Sequence, residues 1–107
     1  MPRTGRVARA SRLLALAIKL DGLLREASVG NHRDLAEVGQ ISRARLSQIL
    51  RLVDLAPAIQ EEILFLPKTR VGADLVTEGA LREIAREIDW ERQLKKFRLV
   101  MDSVQRS

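Results

Sequence analysis

The sequence predicts an all-α fold, a compact bundle of about six helices containing a helix-turn-helix, and three observations carry that prediction. Apolar residues make up 46% of the chain but aromatics only 3%, so the core must be built from Leu, Ile, Val and Ala. That palette suits packed helices better than a β-sandwich. Apolar positions recur at helical spacing through most of the chain, and Ser42, Pro57, Thr77 and Asp89 stand where helices would begin. With 107 residues there is room for one core and little to spare, so 1–107 reads as a single domain.

Residues 1–6 read as a flexible basic arm. Val7, Leu13, Leu14, Ala17, Ile18, Leu20 and Leu24 then follow the helical period and predict a long first helix over about 7–27, closed by Ser28–Val29–Gly30–Asn31. The opening MPRTGRVARASRLLALAIKL mimics a secretory or transit peptide. Lys19, however, ends the apolar run after Ile18, and the pattern continues to Leu24, as in an ordinary helix. Two short helices follow at about 32–39 and 43–54. Pro57 fits the first turn of a fourth helix that buries Ile59, Ile63 and Leu64. Residues 66–76 read as a loop. Thr77 caps a helix over 78–87 with Leu81, Ile84, Ala85 and Ile88 inward. Asp89 caps the last helix, 90–104, which is expected to bury Trp90, Leu94, Phe97, Leu99 or Val100, and Met101.

Charge narrows the function. Of the net +5, a surplus of +4 lies in residues 1–30, +1 in 31–70 and none in 71–107. A positive field at the N-terminal end and the middle of the chain steers polyanions, so nucleic acid is the leading partner, ahead of an anionic membrane surface. No stretch approaches the ~18 apolar residues of a membrane span. With no Cys and one His, disulfides and thiolate metal sites are excluded and a zinc site is not expected, which suits a reducing cytoplasm. No cofactor, small-molecule substrate or enzymatic activity is expected. His32 lacks a nucleophile partner, and Glu78→Arg82 and Glu91→Lys95 fit i,i+4 ion pairs on a solvated face.

The segment 34–55, DLAEVGQISRARLSQILRLVDL, is the most informative. Leu35, Ala36 and Val38 mark a short helix, Gly39–Gln40–Ile41 a tight break, and Ser42 the N-cap of a second helix. At about 100° per residue, Leu46, Ile49, Leu50 and Val53 share one side, with Ala44, Gln48 and Arg51 opposite, flanked by Arg43 and Ser47. Two helices joined in this way over 32–54 form a helix-turn-helix, whose second helix can enter a DNA major groove. Gln48 carries the donor and acceptor that adenine requires, and Arg43 or Arg51 can fork onto guanine. Arg45 falls to one side, toward a phosphate or an acid on a neighbouring helix. Arg3, Arg6, Arg9 and Arg12 fit either a frayed basic tail or an arm on the DNA backbone or minor groove, with RNA or membrane contact as a further option.

DLAEVGQISRARLSQILRLVDLAPAIQEEI resembles the DNA-binding core of ParB-type partition proteins and their KorB-like relatives. The matching features are Leu35–Ala36, Ser42, Arg43, the run Ile49 to Leu52, and Leu55–Ala56–Pro57; Thr77–Glu78–Gly79–Ala80–Leu81–Arg82 is similar to a later helix of that family, with Ala80 and Leu81 replacing His and Ala. The resemblance implies recognition by Ser42, Arg43, Ala44, Ser47, Gln48 and Arg51, with His32 and Arg33 near a phosphate. It departs at the turn, where Gln40 stands in the family's glycine position and Gly39 lies one place early. A left-handed backbone at Gln40 is affordable but costs more than at glycine, so a reshaped turn is the alternative. It departs also in lacking the family's nucleotide-binding and dimerisation domains, so it resembles the reading module standing alone.

Together these readings predict a cytoplasmic, nucleoid-associated protein that binds double-stranded DNA sequence-specifically, as a small transcriptional regulator or a mobile-element or recombination accessory factor. Affinity is expected from the arm, Arg9, Arg12 and Arg45, and specificity from Arg43, Ser47, Gln48 and Arg51. A homodimer or a recombinase-type partner is expected, because one small module reads few base pairs. The alternatives are an adaptor docking on a recombinase or polymerase, through the helical face or the Trp90 end, and an RNA-binding module.

Overall fold

In a computed structural model that describes residues 7–26, 32–66 and 76–106, the chain forms an all-α bundle. Its helices are α1 (Arg9–Arg25), α2 (His32–Gly39), α3 (Arg43–Leu50), α4 (Pro57–Leu64), α5 (Glu78–Ala85) and α6 (Trp90–Arg106), with a 3-10 turn over Arg51–Asp54. There is no strand among the described residues. The arm 1–6, the break 28–31 and, apart from Leu66 and Val76, the loop 66–76 lie outside them.

α1 is the spine, packing on α2, α3, the 3-10 turn and α4. Its buried residues Ala10, Ser11, Leu14 and Ala17 are mostly small, which brings α4 close. Ser11 Oγ donates 2.6 Å to the Ile63 carbonyl, one of the orphan acceptors in the last turn of α4. The main core adds Ile49, Leu52, Leu55, Ile59, Ile63, Leu81, Ile84 and Phe97 to this face. A second, smaller core joins Leu35 and Ala36 of α2 to Leu46 of α3 under Leu23 and Leu24 of α1. Leu20 and Ile41 touch both cores and weld them together.

The expected caps form. Ser42 Oγ accepts from Arg45 N at 3.0 Å, Thr77 Oγ1 from Ala80 N at 3.1 Å, and Asp89 Oδ1 from Glu91 N at 2.8 Å. Between α2 and α3, Gln40 takes a positive φ of 56°. Its N–H donates to the Glu37 carbonyl and the Ile41 N–H reaches back to Ala36, the paired bonds of a Schellman ending. Gln40 therefore occupies the left-handed position that glycine fills without strain, and Ile41 supplies the accompanying apolar contact.

Several sequence expectations are corrected. The second helix of the pair is not α-helical to residue 54; it changes to 3-10 winding after Leu50. Each 3-10 residue adds roughly 20° of rotation, which swings Leu52 into full burial. Ile88 is 95% exposed, because α5 stops at Ala85 and the helical phase is lost. Trp90 is 55% exposed at the first position of α6, and Leu99 is 70% exposed, leaving Val100 as the inward member of that pair. Val7 and Ile18, which follow the period of α1, are also exposed.

Gln93 is the residue that periodicity passes over. It is 1% exposed, and its Oε1 accepts from Ala56 N at 2.7 Å, while Nε2 donates to Asp54 O at 3.1 Å and Glu87 O at 2.7 Å. Gln60 Nε2 completes the set on Val53 O and Leu55 O. Replacing Gln93 with Leu strands three backbone groups. Urea titration should show a loss of about 3 kcal/mol or more, against about 1 kcal/mol for Ser11→Ala. Gln40→Gly should raise stability by about 1 kcal/mol by relieving the left-handed residue. Gly39→Ala should be tolerated, since an added Cβ meets nothing nearer than Ile41 Cγ1 at 3.7 Å.

Candidate nucleic-acid interface

Burial of Leu46 and Ile49 fixes the rotation of α3. Arg43, Ala44, Ser47 and Gln48 are consequently exposed on its outer face, with Arg51 continuing that surface on the 3-10 turn and Ser42 at its head. Arg33 is exposed on the first turn of α2, and Arg9 and Arg12 are exposed on α1. Arg43, Arg51, Arg33 and Arg12 make no side-chain ion pair among the described residues, whereas Arg9 is engaged. The His32 side chain lies outside the described part of the structure.

Of the two destinations expected for Arg45, the structure shows the acid. Its guanidinium forks onto Glu78 at the start of α5, with Nη1–Oε2 at 2.5 Å and Nη2–Oε1 at 2.8 Å. Bidentate, charge-assisted contacts of this kind are the strong class. Glu78 was expected on a solvated face as the partner of Arg82. That contact exists at 3.3 Å, but the Glu78 side chain is only 14% exposed and the 34% exposed Arg45 is its principal partner. The Arg82 Nε is buried without a directed hydrogen bond, so it contributes charge rather than geometry. The expected Glu91–Lys95 pair gives way to contacts of Arg92 and Lys96 with Glu87, at 3.5 and 3.6 Å.

The Arg45 hydrogen bonds hold the Glu78 carboxyl below its ordinary value, against the opposing push of partial burial, with smaller pulls from the charges of Arg45, Arg82 and Arg9. Arg45 is raised in turn, chiefly by the same hydrogen bonds. One carboxylate thus gathers Arg45 of α3 and Arg82 of α5, with Arg9 of α1 adding only a weaker pull of charge.

The same Arg45 Nη1 also donates to Gln48 Oε1 at 3.1 Å. Beside it, an open cleft of about 600 Å³ separates α3 from α5, lined by Ser47, Gln48, Arg51, Gly79, Arg82, Glu83 and Arg86. Three guanidiniums against one carboxylate make it basic, and Arg86 is only loosely tied to Glu83 at 3.5 Å, with both side chains exposed. Arg82 and Arg86 are the members of this surface that sequence reading missed. Their i,i+4 spacing was a usable signal of a shared face, but nothing in the pattern brought that face beside α3. Chemically the surface can bind an anion and present amide and guanidinium donors. Among the described residues no cluster of His, Cys, Asp and Glu could hold a metal ion, and no helix is long and apolar enough to cross a membrane.

A carboxyl depressed by folding adds stability that is complete above the ordinary glutamate value of 4.5 and disappears as pH falls through the depressed value. Glu78→Gln should therefore cost about 1 kcal/mol at neutral pH. The difference from the parent should vanish in acid, as read by urea titrations across pH.

Compared with known proteins, the chain matches no family model, no curated protein and no solved structure.

Proposed function

We propose that this protein binds double-stranded DNA sequence-specifically, through a ParB-like helix-turn-helix with α2 and α3 as its two helices. The observation that carries the reading is the outer face of α3. It is exposed and free of acids, and its apolar side is anchored in both cores while its flank opens into an arginine-lined cleft. A solvated helix without a binding role has no need of that uniform sign.

In this reading α3 lies in the major groove. The first N–H groups of α3, with the positive end of its dipole, meet a phosphate beside Ser42. Arg43 and Arg51 fork onto guanine and Gln48 reads adenine, each good contact contributing about 1–3 kcal/mol of discrimination. Arg33, Arg12, Arg9, Arg82 and Arg86 take phosphates, which fix register without reading sequence. Eight residues of helix span about 12 Å, only a few base pairs. A homodimer or a second DNA-bound protein supplies the rest of the site. The natural roles are regulation of transcription in the nucleoid, or assistance to a recombinase on a mobile element.

The adaptor reading is favoured by one observation, the exposure of Ile88 and Trp90 close together in sequence at the start of α6. Fluorescence anisotropy on duplex DNA separates the two readings. DNA binding by about five phosphate contacts loses roughly 500-fold in affinity between about 50 and 200 mM salt. Absence of duplex binding at the lower salt would hand the assignment to the adaptor. Gln48→Ala should change the sequences selected from a random pool more than overall affinity, and Arg12→Ala should do the reverse. Equal effects of both on every duplex would remove the division of roles.

A further inference from the structure

We infer that Arg45 is a positioning residue for base recognition: clamped by Glu78, it fixes the Gln48 amide so that the amide presents its N–H donors outward. This rests on the DNA-binding reading and adds to it a residue that touches no base. The geometry is a relay across two helices. Both Glu78 oxygens grip the guanidinium at 2.5 and 2.8 Å, and the Nη1 so held donates to Gln48 Oε1 at 3.1 Å.

The chemistry of the pair decides which way the amide faces. A glutamine amide can turn over by 180° with little change in shape, exchanging its oxygen for its nitrogen. Arginine has donors and no acceptor, so the atom facing Arg45 has to be the oxygen. The Nε2 group, with both of its N–H donors, is then directed away from Arg45 on an exposed side chain. Glu78 is essential to this, because an untethered guanidinium on a flexible stem would follow the amide instead of fixing it.

The consequence is a preference at one base position. With nitrogen outward, Gln48 pairs with a base that offers an acceptor, such as purine N7, guanine O6 or thymine O4. The second lone pair of Oε1 can still take the adenine N6 amino group. Cytosine offers only its N4 donor in the major groove, so it leaves the outward N–H groups unpaired and is disfavoured. Without the clamp the amide turns over freely, and cytosine is accepted.

The test selects duplexes from a random pool with the parent protein, Arg45→Met, Arg45→Lys, Gln48→Ala and the double variant Arg45→Met/Gln48→Ala, each checked for a cooperative thermal transition. The parent should discriminate against cytosine at one position, and Gln48→Ala should abolish that discrimination. Arg45→Met and Arg45→Lys should each weaken it by about tenfold while keeping the rest of the site. Arg45→Lys should also leave the salt dependence unchanged. The double variant should behave like Gln48→Ala, since one residue acts through the other. If Arg45→Lys selects the parent's site unaltered, and Arg45→Met lowers the salt slope by about one, then Arg45 is a phosphate contact and the inference fails while the DNA reading stands. A parent that binds no duplex removes both. Should the variants not fold, NMR of the free parent decides: restricted rotation of the Arg45 guanidinium, with resolved Nη resonances, supports the clamp, and averaged resonances overturn it.

Discussion

The architecture depends on how one irregular stretch of backbone, residues 53–56, is hydrogen-bonded. The chain there leaves a 3-10 turn, breaks, and enters α4 at Pro57, so the Val53, Asp54 and Leu55 carbonyls and the Ala56 N–H have no helical ladder to join. Leu55 and Ala56 are buried, which closes the Ala56 N–H off from water. Two side-chain amides from different helices supply what is missing, Gln60 from within α4 and Gln93 from α6. Gln93 also ties down the Glu87 carbonyl just beyond α5. One amide thus fixes the 3-10 turn, α4 and the exit of α5 with all three of its hydrogen-bonding atoms in use. α3 runs directly into that turn, so the angle at which it is presented follows from the same contact.

A second constraint acts on the surface rather than the core. Glu78 stands at the first position of α5, where a negative charge is favoured by the helix dipole. It draws Arg45 of α3 and Arg82 of α5 toward one point. The pairing does not neutralise the region: Arg43 and Arg51 stay uncommitted, and Arg86 is held only weakly. The carboxylate organises a basic surface by engaging one of its members firmly. The balance matters, because arginines without a local anchor would repel one another and sample many rotamers.

Most of the architecture was legible because helical period, caps and punctuation agree with one another. Ser42, Thr77 and Asp89 each cap the helix that their position announced, and Pro57 starts α4. The left-handed residue at Gln40 was legible as one of two outcomes, since a turn with its glycine one place early either puts another residue there or is reshaped. What periodicity could not see was any place where winding or phase changes. Leu52 turns inward only because α-helix gives way to 3-10, and Ile88 turns outward because α5 ends before reaching it. Trp90 was misplaced because an indole suits a core on composition alone, yet the first residue of α6 projects beyond the packed stripe. Gln93 was invisible for the opposite reason, an amide in a buried row reading as surface. In the candidate site, the composition of the α3 face was readable from the helical wheel. The Arg45–Glu78 fork was readable only in part: the wheel aimed Arg45 at a phosphate or a neighbouring acid, but which acid depends on residues 33 apart whose helices meet only in the folded bundle.

The position of Gln93 has a consequence for how the chain is made. Synthesis delivers α1 to α4 first, and by sequence separation their contacts are available early. The buried Ala56 N–H and the Asp54 carbonyl, however, find their partner only when residue 93 has cleared the ribosome. Until then α1 to α4 form a partial bundle with a defect beneath the very helix that carries the basic face. In a nascent chain the hydrogen bonding beneath α3 is therefore completed only when almost all of the described chain has been synthesised.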